Sequence, residues 1–335
     1  MGIEEIKARL SAHFFQDHPS PWVNGIGIGW IPRRDERPET LEPPCVLVFV
    51  GASTPECELR TIRNTVTDMG GDSRCVLHTS RFVGLQATTG ASFSYRAPHR
   101  YNLPLVSVGT LGAVVRAGGK RYLLGSNHVI AHNGRAKVET EVVAPGTRDA
   151  TEGSVIGALS HVVKLNAPPW PLNGTTEDQA NKVDCALAEV TGAIDAPTPV
   201  EVLSIGPSPT PIPVTKMGRT TLKTDSLVSV FDWDGFIDYS FGTYYFAGFL
   251  GAYDEPQTSP SGTRIVFAEP GDSGALVVNT QGQGVGLITA RAYVFDDSGQ
   301  FTATIILMCS LSAVRDALAT PTMLGIPLAK IEFWR

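Results

Sequence analysis

Phe267-Ala268-Glu269-Pro270-Gly271-Asp272-Ser273-Gly274-Ala275-Leu276-Val277-Val278 sets a Gly-Asp-Ser-Gly tetrapeptide directly before an apolar strand. Glycines on both sides of one serine let a substrate carbonyl approach the backbone closely. In such a turn the N–H groups of Gly271 and Ser273 converge on one point, where they can stabilise charge developing on an attacked carbonyl oxygen. A serine hydroxyl is a weak nucleophile and needs a base, with a third group to orient that base.

The tetrapeptide alone decides little, since it arises by chance in on the order of one chain of this length in a hundred. Gly71-Asp72-Ser73 is such a near-copy; it continues as Arg74-Cys75, precedes every plausible base and reads as a loop. The later copy is distinguished by what lies upstream of it. Leu123-Leu124-Gly125-Ser126-Asn127-His128-Val129-Ile130-Ala131 and Lys182-Val183-Asp184-Cys185-Ala186-Leu187-Ala188 each set one titratable residue beside an apolar run. The chain order is then His128, Asp184, Ser273.

These three segments together resemble the chymotrypsin-like serine peptidases, over about Gly109 to Ala319. Within them the chain is most similar to intracellular bacterial trypsin-like peptidases, which also resemble the plant narrow-leaf protein. The likeness rests on Asn127-His128-Val129, on Gly218-Arg219-Thr220-Thr221 and on a Gly-Ile-Gly-Ile-Gly stretch near the N-terminus. No cysteine follows His128, so the disulfide that often braces this histidine in secreted relatives is missing.

The resemblance implies a mainly β fold, with two antiparallel six-stranded β-barrels, a C-terminal helix and a small α+β N-terminal domain in front. It implies a serine endopeptidase whose triad is His128, Asp184 and Ser273. Phe267 would help floor the primary pocket and disfavour basic side chains there, with Glu269 a complication if it turned inward. Thr289 would hydrogen-bond the triad aspartate, and Ala290 and Arg291 would border the substrate groove. The aspartate matching Asp272 pairs, in many secreted relatives, with a new N-terminus made by proteolysis. Here about a hundred residues precede the barrels, so Asp272 needs another partner or the enzyme is held inactive.

Composition fits a globular protein of two or three compact units, with 335 residues, 42% hydrophobic and 18% charged. Net charge is −6 and the 27 basic residues form no cluster, which disfavours nucleic acid or an anionic membrane as partner. The N-terminus is acidic and lacks the charge and apolar pattern of a secretion signal. No apolar run approaches a membrane span. The five cysteines, at 45, 57, 75, 185 and 309, suit a reducing cytoplasm better than a disulfide framework. A soluble cytoplasmic protein is the expectation.

The N-terminal unit, residues 1–100 and ending near Arg96, opens with Ile3, Ile6, Leu10 and Phe14 at helical spacing. Asn24 to Trp30 and Cys45 to Val50 read as strands, Glu56 to Met69 as a helix, and Val76 to Leu85 as a strand. The glycines of the first strand fail the nucleotide-loop fingerprint because Trp30 stands where its last glycine belongs. This unit is expected to serve regulation or assembly, which leaves room for a homo-oligomer or a regulatory protein partner.

From Gly109 onward short strands alternate with turns. Residues 101–196 form the first barrel, in which Gly112–Arg116 and Lys120–Leu124 flank Ala117-Gly118-Gly119 as a hairpin. Asp184 follows a loop rich in Pro and Asn, from Asn166 to Thr176. Residues 197–213 are a proline-rich linker, and 214–335 hold the second barrel with a strand at Gly284–Ala290 and a helix at Ser310–Ala319.

Each site residue has a plainer reading as well. A single histidine is usually a surface or core histidine, and Asp184 or Ser273 alone serves in turns. His128 and His132 share a helical spacing, but no glutamate adjoins either and no third ligand follows, so no metal and no cofactor are expected. A catalytically silent double barrel that binds a peptide is the alternative from another class. Esterase action would use the same residues.

Overall fold

The computed structural model describes residues 1–30, 43–84, 94–95, 108–147, 149, 153–167, 180–191, 194, 198–206, 210–254, 257–258, 264–320 and 327–335. The hairpin expected around Gly118 is present, with strands Ala113–Ala117 and Lys120–Gly125 in antiparallel register. Its turn takes φ of 56° at Gly118 and 78° at Gly119, a conformation that glycine adopts without steric cost and that matches the twist of a two-residue hairpin. This hairpin is the centre of an eight-stranded sheet that continues through Ala186–Val190, Ser154–Val162, Glu141–Ala144 and Ser94–Tyr95. On its other side the sheet takes in the C-terminal Glu332–Trp334 and then Pro199–Val200.

The second sheet holds a closed six-stranded ring, as expected. Ile212–Gly218 pairs with Leu222–Tyr239, which pairs with Gly242–Asp254, then Phe301–Ser310, Gly284–Phe295 and Leu276–Asn279, which returns to Ile212–Gly218. The fold class is therefore the mainly β, two-sheet arrangement with a helix near the C-terminus. That helix is Leu311–Ala319, and Ser310 caps it by accepting the Ala313 N–H at 3.1 Å.

The N-terminal segment departs from expectation. Its elements are α+β: helices Ile3–Ala12 and Glu56–Asp68 and strands Val23–Gly29, Cys45–Gly51, Val76–Thr79 and Phe82–Gly84. The single strand expected from Val76 to Leu85 is broken in two between Thr79 and Phe82. A separate unit in front of the barrels was expected, yet its strands are part of the second sheet. Val23–Gly29 pairs with Leu222–Tyr239, and Val76–Thr79 pairs with Gly284–Phe295. The long strands of the second barrel, 18 residues in Leu222–Tyr239 and 12 in Gly284–Phe295, thus serve both units. The boundary expected at 96–100 lies outside the described residues, as do parts of the linker and of the Asn166–Thr176 loop.

Glycine is what permits this union. A Cβ on Gly25 would lie 2.4 Å from the Trp233 indole nitrogen, and one on Gly29 would lie 2.2 Å from the Ser229 carbonyl oxygen. The Gly-Ile-Gly-Ile-Gly strand therefore presses its backbone onto Leu222–Tyr239, with Ile26 and Ile28 fully buried. Phe82 packs edge-on to Phe49 at 5.7 Å and to Trp233 at 4.8 Å, so one aromatic core spans both units. Burying each such ring is worth about 1.5–3 kcal/mol.

Two cysteines correct a further expectation. Cys45 and Cys75 form a disulfide, because the parallel pairing of Val48 with Val76 brings the two chain segments together. Cys57, Cys185 and Cys309 remain thiols. Among the described residues no helix is long and apolar enough to cross a membrane.

Removing residues 1–84 should consequently leave a chain with an exposed strand edge and an opened aromatic core, not a soluble double barrel. The soluble fraction on expression is expected to collapse. A soluble truncation melting within a few degrees of the full chain would show that the shared ladder contributes little.

Candidate active site

Register places the three polar residues. Ala186 pairs with Gly125, so Asp184, two residues upstream, faces the short helical turn Asn127–Ile130 that follows Gly125. Asn127 fixes that turn by donating its side-chain amide to the Val163 carbonyl at 2.7 Å and accepting the Asn133 N–H at 2.9 Å. Ser273 sits between Gly271, with φ of 112°, and Gly274, with φ of 86°, both in the region that favours glycine. The Gly274 N–H donates to Ile288 O at 2.8 Å and the Ile288 N–H donates to Ala275 O at 3.1 Å, which pins the turn to the neighbouring strand.

Ser273, His128 and Asp184 lie in one hydrogen-bonded row. Ser273 Oγ is 2.9 Å from His128 Nε2, and His128 Nδ1 is 2.5 Å from Asp184 Oδ2. The His128 backbone N–H also donates to Asp184 Oδ1 at 3.1 Å. A carboxylate at Nδ1 favours the tautomer with its proton on Nδ1, leaving Nε2 to accept from a hydroxyl. All three residues have 0% of their surface exposed.

Asp184 has a partner the sequence reading missed. Tyr239 donates its hydroxyl to Asp184 Oδ2 at 2.9 Å, and its ring lies 5.1 Å from that of His128. Burial, and then the neighbouring Asp184, push the Tyr239 phenol well above its ordinary value, so it stays a donor. Thr289 was expected in this role, but its hydroxyl donates to Leu287 O at 3.1 Å. The Thr289 hydroxyl is thus taken up by its own strand, and the Tyr239 phenol meets the carboxylate instead.

The remaining residues fall around the turn. Phe267 is buried in the second-barrel core with Phe231, Ala275 and Ile288, its ring centroid 6.0 Å from Lys216 Nζ. Glu269 forms an ion pair with Arg291, so its charge is compensated. Ala290 and Arg291 pair on one edge with Leu307 and Ile306, and on the other with Gly84 and Val83 of the N-terminal segment. The near-copy at Asp72 is a local cap, whose carboxylate accepts the Arg74 N–H at 2.9 Å at the head of a 3-10 turn.

The two sheets meet behind Ser273. Thr110 donates its N–H to Ser273 O and its hydroxyl to Gly271 O, each at 2.8 Å, and accepts the Arg219 N–H at 2.9 Å. A cleft of about 640 Å³ opens there, lined by Thr110, Lys216, Gly218 and Trp334 among others, and no triad residue borders it. His132 stands apart from the row, its ring tilted at 50° to that of Phe241 with centroids 4.9 Å apart. Among the described residues no group of three or more His, Cys, Asp or Glu is placed to hold a metal.

No protein-family model matches the sequence, and no curated protein does. Solved structures similar to it include a glutamic acid specific serine protease, at 16% identity and TM-score 0.38, covering 68% of this chain and 96% of that one. Another is a chymotrypsin of Cellulomonas bogoriensis, at 15% identity and TM-score 0.36, covering 72% and 98%. A protease of M. tuberculosis in its active form matches at 12% identity and TM-score 0.38, covering 73% and 85%. The structural neighbours are thus serine proteases at low identity, while the fold assignment rests on the sheets described above.

His132 yields a pH test of the site's surroundings. Burial first, then the charge of Arg135 and of His128, lower its pKa from 6.5 to about 4. The folded chain therefore holds it neutral, and the stability this contributes is full above pH 6.5, falls as pH drops through that value and levels off near 4. The shift corresponds to about 3 kcal/mol. His132→Asn, which tolerates the positive φ of 47° found there, should lose less stability between pH 7 and pH 4 in paired denaturant titrations. Equal losses in both proteins would show that His132 does not carry this pH dependence.

Proposed function

We propose that the chain is a serine endopeptidase that hydrolyses peptide bonds through an acyl-enzyme. The observation that carries this reading is the row from Ser273 Oγ through His128 to Asp184, at 2.9 and 2.5 Å. Ser273 Oγ attacks the peptide carbonyl carbon while His128 Nε2 takes the hydroxyl proton. The carbonyl oxygen becomes an oxyanion beside the N–H groups of Gly271 and Ser273. As the C–N bond breaks, His128 returns the proton to the leaving amine; water then repeats the sequence on the ester. Asp184 holds the imidazole and its charged form, and Tyr239 holds Asp184.

Substrate preference belongs to the same proposal. Phe267 behind the turn and the compensation of Glu269 by Arg291 favour a small or apolar side chain before the scissile bond. A cytoplasmic setting is also part of it, with the Cys45–Cys75 disulfide weighing against that setting.

One observation favours a second reading, in which the double barrel is latent or only binds peptides. A peptide reaches Ser273 by adding as a strand to the edge of Gly284–Phe295 at Ala290 and Arg291. That edge is filled by Val83 and Gly84, whose strand is held from its far side by Ile237 and Asp238. Control by the N-terminal segment follows from this contact.

Labelling with a fluorophosphonate tests the nucleophile, and Ser273→Ala should abolish it with little change in melting. Asp184→Asn should slow peptide cleavage by on the order of ten-thousand-fold. Full labelling of the alanine variant would remove Ser273 from the role.

The second reading is separated by Val83→Pro, which removes one ladder N–H from the occluding strand. Faster labelling than wild type identifies a latent enzyme. Unchanged absence of labelling in both identifies a binding protein.

A further inference from the structure

The segment that covers the edge of Gly284–Phe295 lies between two strands. Phe82 and Val83 pair in parallel with Ile237 and Asp238, while Val83 and Gly84 pair antiparallel with Arg291 and Ala290. The segment thus fills a gap of two strand spacings, about 9.5 Å. Ile237 and Ala290, on its two walls, are fully buried. With the segment withdrawn, ladder N–H and C=O groups on both walls would lose their partners inside the protein. An extended backbone supplies donors and acceptors to two facing edges at once, so the slot favours a peptide strand over other ligands.

One side chain seats the segment. From Thr79 to Val83 the chain takes four steps where the edge from Val294 to Arg291 takes three. The extra residue is a bulge, and it falls where Phe82 leaves the edge and enters the core. Upstream, the Ser80 N–H donates to Tyr293 O at 2.8 Å and the Tyr293 N–H donates to the Ser80 hydroxyl at 2.9 Å, which fixes the start of the bulge. Phe82 is 1% exposed and belongs to one buried cluster with Phe49, Trp233 and Ile237. Arg81 by contrast is exposed and meets Asp238 at the surface. A cavity of about 400 Å³, lined by Asn24, Arg81, Phe82, Phe236 and Asp238 among others, opens beside the segment and gives room for one strand to replace another.

Direction matters as much as fit. Passing from Val83 to Gly84 moves the segment from Arg291 to Ala290, toward Ile288, whose carbonyl accepts the Gly274 N–H beside Ser273. A peptide laid in the slot the same way runs its C-terminal end to the nucleophile.

We propose that this two-edged slot is a binding site for extended peptide segments that carry an aromatic residue, which takes the place of Phe82 and is read shortly before the bond that is cut. The chain's own Phe82–Gly84 displays the motif by occupying the slot. Binding stands on the slot alone, whereas cutting rests on the peptidase reading. In that step Ser273 and water act as above, leaving a carboxylate on the bound half and a free amine on the other.

The test uses the full chain and a fluorescent peptide with the sequence of Ser80 to Gly84, extended by an alanine-rich tail at its C-terminal end. Phe82→Ala empties the aromatic pocket, and anisotropy should show the peptide binding this variant at least about tenfold more tightly than the wild type. A copy of the peptide with alanine for its phenylalanine should lose at least that factor. Phe82→Leu, which keeps more of the core filled, carries the same comparison if the alanine variant fails to fold. Equal affinity of the two peptides, or of variant and wild type, overturns the proposal even where fluorophosphonate labels Ser273. Cleavage of both peptides at one rate sustains the peptidase reading and overturns the slot. Phenylalanine-dependent binding with cleavage of the tail, abolished by adding Ser273→Ala, sustains both. The same binding in a protein that neither labels nor cuts sustains the slot and rejects the peptidase reading.

Discussion

The strand Leu222–Tyr239 is the member on which the rest of the molecule hangs. Its first half closes the second barrel against Ile212–Gly218, and its middle receives Val23–Gly29 across the glycines that clear Trp233. Its last residues pair with Phe82 and Val83 and end at Tyr239, whose hydroxyl holds Asp184. Register shifts between Val228 and Gly235 let one strand change direction between these duties, as bulges do. A strand of this length is bound on both edges because an unpaired ladder of buried N–H and C=O groups would cost more than any single contact returns.

Buried charge is managed in three ways along this frame. Asp184 is held by an imidazole, a backbone N–H and a phenol. Asp234 is held by Lys7 from the first helix together with Ser11 and the Gly248 N–H; burial raises its pKa against the pull of Lys7. That pair fastens the N-terminal helix to the long strand, since a carboxylate there without its cation would be strongly destabilising. Asp272 is held by Lys216 and by donors on both sides of the nucleophile turn. The charge requirement is the same in each case, but the three carboxylates sit in different settings: beside the imidazole of His128, under the first helix, and at the Gly271–Gly274 turn.

Much of this was legible in the residues. Gly271, Asp272, Ser273 and Gly274 announce their turn because glycine and a strand run are local signals, and His128 and Asp184 were found by order and by adjacent apolar runs. The phenol on Asp184 was not legible, since Tyr239 lies 55 residues away in sequence and a tyrosine at a strand end has no local mark. Lys216 was hidden for a similar reason: nothing in Thr215-Lys216-Met217 says that its side chain turns inward. The union of the N-terminal segment with the second barrel did leave a trace. Glycines at alternate positions of an otherwise apolar strand remove the Cβ from one face, which signals another backbone close by. The Cys45–Cys75 bond was concealed by an odd cysteine count, because pairing depends on the parallel register of two strands that sequence spacing does not reveal.

The ion pair at Asp272 and the strand at Ala290 and Arg291 bear on one another. On the peptidase reading, an Asp272 already paired with a lysine inside the barrel does not wait for a missing cation. Control at that turn would then require pulling a buried ammonium away from three oxygen atoms, of Thr221, Leu222 and Asp272, a costly step to drive by binding. The edge of Gly284–Phe295 is a different matter, because a strand of three residues, Phe82–Gly84, covers it through a few ladder bonds. An incoming peptide offers the same backbone donors and acceptors, so exchange at that edge conserves hydrogen bonds. What opposes it is the anchoring of Phe82 between Phe49 and Trp233. On the peptidase reading, control would therefore act on access to Ser273 at this edge, against the aromatic anchor at Phe82.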